Sequence, residues 1–154
     1  MNKKGALIFQ AVVAASLIAS AFFLSAQWPF IFFTVGLIGG AAFSWADATF
    51  LYPKYKDKTI HSSEQYITRS FLFLLAYMAT SFFVVTSTRS PIGIGLSLGI
   101  GLVLWSELLF TLQSPAQLNS VLGVKKPLKK NELKILVGGY SVLYLVMCAM
   151  TFLK

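Results

Sequence analysis

Acidic residues, histidine and cysteine are scarce in this chain of 154 residues, which holds five Asp and Glu, one histidine (His61) and one cysteine (Cys148). A lone cysteine leaves no disulfide framework within the chain and no Cys-x-x-Cys pair. Near the end of an apolar run, Cys148 reads as a small packing hydrophobe. A lone histidine excludes a multi-histidine iron site and bis-histidine haem. Phosphate-cradling loops are missing too. Charged residues make up only 12% of the chain, and no polar stretch is long enough to form a separate soluble domain. The run from Lys56 to Glu64 contains Asp57, His61 and Ser62, but such residues are common in solvated connections and the sequence supplies no mutual geometry for them. No catalytic residue, metal or cofactor is expected.

Apolar residues are abundant, at 56%. They fall into five segments, at about residues 5–25, 29–51, 69–87, 91–112 and 133–153, each about the 20 residues that a helix needs to cross hydrocarbon. The pattern predicts an all-α polytopic membrane protein, one integral domain over residues 1–154 built as a bundle of five transmembrane helices. The fifth segment is the least regular, because Glu132 and Lys134 crowd its start and Tyr140 lies within it. Four spans plus an interfacial C-terminal helix is the alternative. The N-terminal Met-Asn-Lys-Lys before an apolar run is also a feature of signal peptides. However, the run exceeds a typical h-region and Leu24-Ser25-Ala26 lacks a small-x-small cleavage pattern, so a first span is expected.

Positive charge is sorted along the chain. If the five segments alternate across a membrane, Lys3, Lys4, Lys54, Lys56, Lys58, Arg69, Lys125, Lys126, Lys129, Lys130 and Lys134 share one side, and only Arg89 and Lys154 fall on the other. The positive-inside rule then predicts a cytoplasmic N-terminus. The net charge of +8 is explained by orientation and by lipid headgroups as partners, not by nucleic acid.

Pro29 and Pro91 each follow a tight turn and stand where a helix tolerates a missing N–H, so spans one and two, and three and four, read as hairpins. Span four carries Gly95 and Gly99 as a GxxxG pair, with Gly93, Ser97 and Gly101 repeating small residues on another face. Gly36, Gly39, Gly40, Gly138 and Gly139 offer further close-approach sites. Packing within the bundle is the simpler use of these residues, and a homo-oligomer face is the alternative.

Asp47 and Glu107 stand near the ends of spans two and four, both about 24 to 27 Å from the outer ends at 1.5 Å per residue. Arg69 opens span three from the same side. This trio reads as an interfacial polar cluster that fixes how three helices meet, or as an ion or solute pathway of a small transporter.

Ser44-Trp45-Ala46-Asp47-Ala48-Thr49-Phe50-Leu51-Tyr52, then Arg69-Ser70-Phe71, then Ser106-Glu107-Leu108-Leu109-Phe110, resembles the small ergosterol-biosynthesis scaffold protein family over about residues 40–114. The resemblance implies a multi-span protein of the endoplasmic reticulum membrane that does not catalyse but tethers the enzymes of sterol C-4 demethylation. Its matching positions are Asp47, Thr49, Tyr52, Arg69 and Glu107. The expectation is a scaffold or accessory subunit whose partners are other integral membrane proteins. A bacterial exclusion or immunity-type protein of the inner membrane is a further alternative.

Overall fold

The computed structural model describes residues 3–24, 29–46, 70–87, 90–112, 114, 119, 122 and 128–152. Five helices account for nearly all of them: α1 (Lys3–Leu24), α2 (Pro29–Ala46), α3 (Phe71–Ser87), α4 (Pro91–Thr111) and α5 (Lys130–Phe152). No strand occurs among the described residues. α4 and α5 are long and apolar enough to cross a membrane, and Leu7–Phe22, Phe30–Ala46 and Phe71–Ser87 form shorter apolar helices.

Local chemistry sets three of the starts. The Ser70 hydroxyl accepts the Phe73 N–H at 3.2 Å ahead of α3, and the Ser90 hydroxyl accepts the Gly93 N–H at 3.4 Å ahead of Pro91 in α4. Both are serine caps that satisfy a donor no helical carbonyl can reach. α5 begins three residues before the expected Leu133, because the Glu132 carboxylate reaches back to the Lys129 N–H at 2.8 Å while Leu133 N–H bonds the Lys129 carbonyl. The acid that crowds the span in sequence is therefore the device that starts the helix. Just upstream, the Asn119 amide pairs with both backbone groups of Leu128, at 3.0 and 2.9 Å, and fastens the approach to α5.

α4 is the axis of the bundle and touches all four other helices. Of its apolar stretch 61% is buried, against 22% for α5. The direction of each neighbour follows from its contacts. Gly36 of α2 faces Ile92 and Leu96, and Gly40 faces Leu96 and Ile100, so numbers rise together and the two helices run parallel. On the opposite sides the order reverses. Tyr140 meets Gly101 and Tyr144 meets Leu98 from α5; Tyr77 meets Ser97, and Val84 lies beside Gly93, from α3. α1 is antiparallel too, with Gln10 beside Ser106 toward the end of α4 and Phe22 beside Phe30 at the start of the parallel α2. The chain therefore runs up, down, up, down, up.

This alternation puts the starts of α1, α3 and α5 and the ends of α2 and α4 together. Every charged residue among those described, Lys3, Lys4, Glu107, Lys129, Lys130, Glu132 and Lys134, belongs to that end. Away from it large apolar side chains are exposed on all five helices, among them Val12, Val35, Ile38, Phe83, Ile92, Leu96, Val142 and Leu145.

Candidate functional site

Among the described helices, α2 and α4 make the closest approach, along a glycine seam. A methyl group placed on Gly36 would meet the Ile92 carbonyl oxygen and stand 2.9 Å from the Leu96 nitrogen; on Gly40 it would meet the Leu96 carbonyl oxygen and stand 2.9 Å from the Ile100 nitrogen. Reciprocally, a methyl on Gly95 would meet the Phe33 carbonyl oxygen, and one on Gly99 the Leu37 carbonyl oxygen. The Gly36/Gly40 pair of one helix thus lies against the Gly95/Gly99 pair of the other, backbone on backbone. At this distance Cα–H groups and carbonyls add weak attraction to dispersion. Gly39, Gly138 and Gly139 have no atom within 4 Å of where a methyl would sit.

The opposite side of α4 is held by tyrosines. Tyr77 donates to the Ser97 carbonyl, Tyr140 to the Gly101 carbonyl at 3.3 Å and Tyr144 to the Leu98 carbonyl at 3.1 Å. All three side chains are buried. Each hydroxyl uses the spare lone pair of a carbonyl on α4, so α3 and α5 are fastened to it without a charged group. Gly101 makes room for this, since a methyl there would come within 2.5 Å of the Tyr77 hydroxyl and 2.7 Å of the Tyr144 ring. Trp105 packs on the Tyr144 ring at 5.1 Å and donates its indole N–H to Ser141 at 2.8 Å, while Phe9 of α1 closes on Trp105 at 5.4 Å. One aromatic chain therefore links α1, α4 and α5.

Toward the charged end, Gln10 donates to the Ser106 hydroxyl at 2.6 Å, which in turn donates to the Val103 carbonyl at 2.8 Å. Ser44 stands in the same half of the bundle, 1% exposed, and its hydroxyl has no hydrogen-bond partner. It is the unsatisfied side-chain group of this interior among the described residues. A bond of this class is worth about 1 kcal/mol when made.

Of the residues singled out in sequence, Gly95 and Gly99 lie in the α2 seam. Glu107 is half-buried in the last turns of α4, where its backbone carbonyl accepts the Thr111 hydroxyl at 2.5 Å. Asp47, Thr49, Tyr52 and Arg69 lie outside the described residues, so the interfacial trio is represented here by Glu107 alone. Trp105 turns inward to Ser141 and Tyr144. The tyrosine triad is the feature that sequence reading passed over, although Tyr140 and Tyr144 at four-residue spacing in one apolar run already marked a shared helix face. No group of three His, Cys, Asp or Glu residues that could hold a metal occurs among the described residues. The triad donates its three hydroxyls to backbone carbonyls of α4, and so fastens α3 and α5 to that helix. Neither a family model, nor a curated protein, nor a solved structure matches the chain.

Proposed function

We propose that the chain is an integral membrane protein, a bundle of five transmembrane helices with its N-terminus in the cytoplasm, that works as a non-enzymatic scaffold or accessory subunit for other membrane proteins. The observation that carries this reading is the distribution of polarity. Large apolar side chains are exposed on every helix, while the charged residues among those described collect at one end. In water such a surface exceeds by far the apolar patches that soluble monomers tolerate; in a bilayer it is the surface that lipid requires.

The scaffold reading is supported by how the polar and small residues are used. The tyrosine hydroxyls and the Trp105–Ser141 and Gln10–Ser106 pairs join one helix to another. Small residues also remain outside: Ala11, Ala15 and Ala19 on α1 and Gly138 and Gly139 on α5 are exposed, and such positions let a partner's helix approach closely. The sterol C-4 demethylation enzymes of the endoplasmic reticulum membrane are the partner set to which the sequence resemblance leads. Residues Asp47, Thr49, Tyr52, Arg69 and Glu107 would then hold the partner-facing cytoplasmic boundary.

The expected result is that the chain copurifies from its native membrane, in mild detergent, with other integral membrane proteins identified by mass spectrometry. The combination of Asp47→Asn with Glu107→Gln is expected to thin that set at least severalfold without changing any transport rate. A lone monomer that moves protons or a solute in liposomes, with Asp47→Asn or Glu107→Gln stopping the flux, would overturn the scaffold in favour of a transporter.

A further inference from the structure

We infer that the charged end of the bundle is a binding surface for anionic phospholipid headgroups, centred on Lys129, Lys130 and Lys134; the inference rests on the membrane reading above. These three lysines are exposed and stand at or just inside the start of α5. Helix physics opposes them there. The N-terminal end of a helix carries partial positive charge, and Lys130 and Lys134 are like charges four residues apart on one face. The single acid in the first turn is Glu132, whose carboxylate already serves the Lys129 N–H. Three cations and one anion leave this segment with an excess of two positive charges, and Lys125 and Lys126 precede it in sequence. An anion supplied from outside removes both penalties together.

The surroundings of the lysines select the kind of anion. Ile135, next in sequence after Lys134, is 75% exposed, and Gly138, Gly139 and Val142 continue an uncovered apolar face. The lysines therefore mark the border between an apolar belt and a polar cap. Their methylene stems lie along apolar surface at such a border while the ammonium groups reach the headgroup level. A free phosphate ion would satisfy the charge but leave Ile135 and its neighbours in water. A phosphate carried on acyl chains satisfies both, and so does the membrane in which the bundle is proposed to sit.

The test is electron paramagnetic resonance of spin-labelled lipid in liposomes holding the full chain, comparing the motionally restricted fraction of labelled phosphatidic acid with that of labelled phosphatidylcholine. Phosphatidic acid is expected to be favoured at least about fivefold, the factor that one lysine near an anionic surface supplies. K129Q/K130Q/K134Q is expected to lose the preference, and K129R/K130R/K134R to keep it. Equal restriction of the two lipids in the unaltered chain, or an unchanged preference in the glutamine variant, overturns the proposal. Removal of the preference by millimolar inorganic phosphate at constant ionic strength identifies a free-phosphate site and overturns the lipid source. A preference that appears only when a copurified acidic protein is stripped away would assign the surface to that protein instead. A chain that inserts but shows no preference sinks this inference alone; a chain that stays out of the liposomes sinks the membrane reading with it.

Discussion

Gly99→Leu is expected to separate α2 from α4 and to unfold the bundle in mild detergent. Even the first carbon added at this position falls on the Leu37 carbonyl oxygen, 2.9 Å from the carbonyl carbon and 3.0 Å from the Ala41 nitrogen. All of these are backbone atoms inside a helix, so nothing short of moving the helix makes room. Overpacking a well-filled site costs about 1 to 3 kcal/mol when side chains yield; here they cannot, and a loss of about 3 kcal/mol or more is expected, which is over a hundredfold in the folded fraction. The same substitution at Gly39 is the control. Nothing lies within 4 Å of the added carbon there, and the position is exposed, so its effect is expected within about 0.5 kcal/mol. Comparing the two unfolding curves separates a glycine needed for close approach from a glycine that merely sits in an apolar helix. Equal loss at both positions would remove the seam from the account.

The second large effect is expected on the other side of α4. Tyr144→Ala removes a ring that is 1% exposed, packs on Trp105 at 5.1 Å and donates to the Leu98 carbonyl at 3.1 Å. Truncating a buried aromatic costs about 3 to 5 kcal/mol in soluble proteins. On the membrane reading the separated helices rest in lipid, so the transfer part shrinks and the packing part stays, and the lower figure of about 3 kcal/mol is expected. Tyr144→Phe isolates the hydroxyl, whose donor bond between helices is worth about 0.6 and at most about 1.7 kcal/mol. The carbonyl keeps its own helical partner in that variant, so no buried group is orphaned. Thermal or denaturant unfolding that ranks Ala well below Phe supports a packed fastening. A Phe variant as damaged as the Ala variant would mean that the hydroxyl does something besides hold α5 in place.

Much of the architecture is written in local chemistry. Pro29 and Pro91 open helices, Ser90 caps one of them, and the apolar runs correspond to five helices whose alternating directions put the charged residues among those described at one end. These features are legible because each depends on residues within one turn, or on a sum over a whole segment. What stays illegible depends on which helix lies beside which. Gly95 and Gly99 announce that something approaches closely, but only the fold supplies Gly36 and Gly40 as the opposing pair and sends Gly101 to the tyrosines. Tyr140 reads in sequence as an irregularity of its apolar segment, because the acceptors that satisfy it, like those of Tyr77 and Tyr144, are carbonyls on another helix. Glu132 shows the opposite failure. Its capping role is within reach of the sequence, since a Glu three residues into a helix commonly returns to the cap, yet in an apolar segment the same residue also reads as a charge that crowds the span. For the candidate site the balance is poorer. Asp47 and Arg69 lie outside the described residues, so the depth they share with Glu107 rests on counting residues along each span.

The central claim is that the bundle crosses a membrane with its charged end in the cytoplasm, and cysteine labelling tests it directly. In a Cys148→Ser background, single cysteines replace Ser114 beyond the end of α4 and Ser90 before its start, both exposed positions at opposite ends of that helix. With a membrane-impermeant maleimide applied to sealed vesicles of known orientation, Ser114→Cys is expected to react only from the cytoplasmic side and Ser90→Cys only from the other. Labelling of both from the same side, or of both in the soluble fraction, would contradict the account.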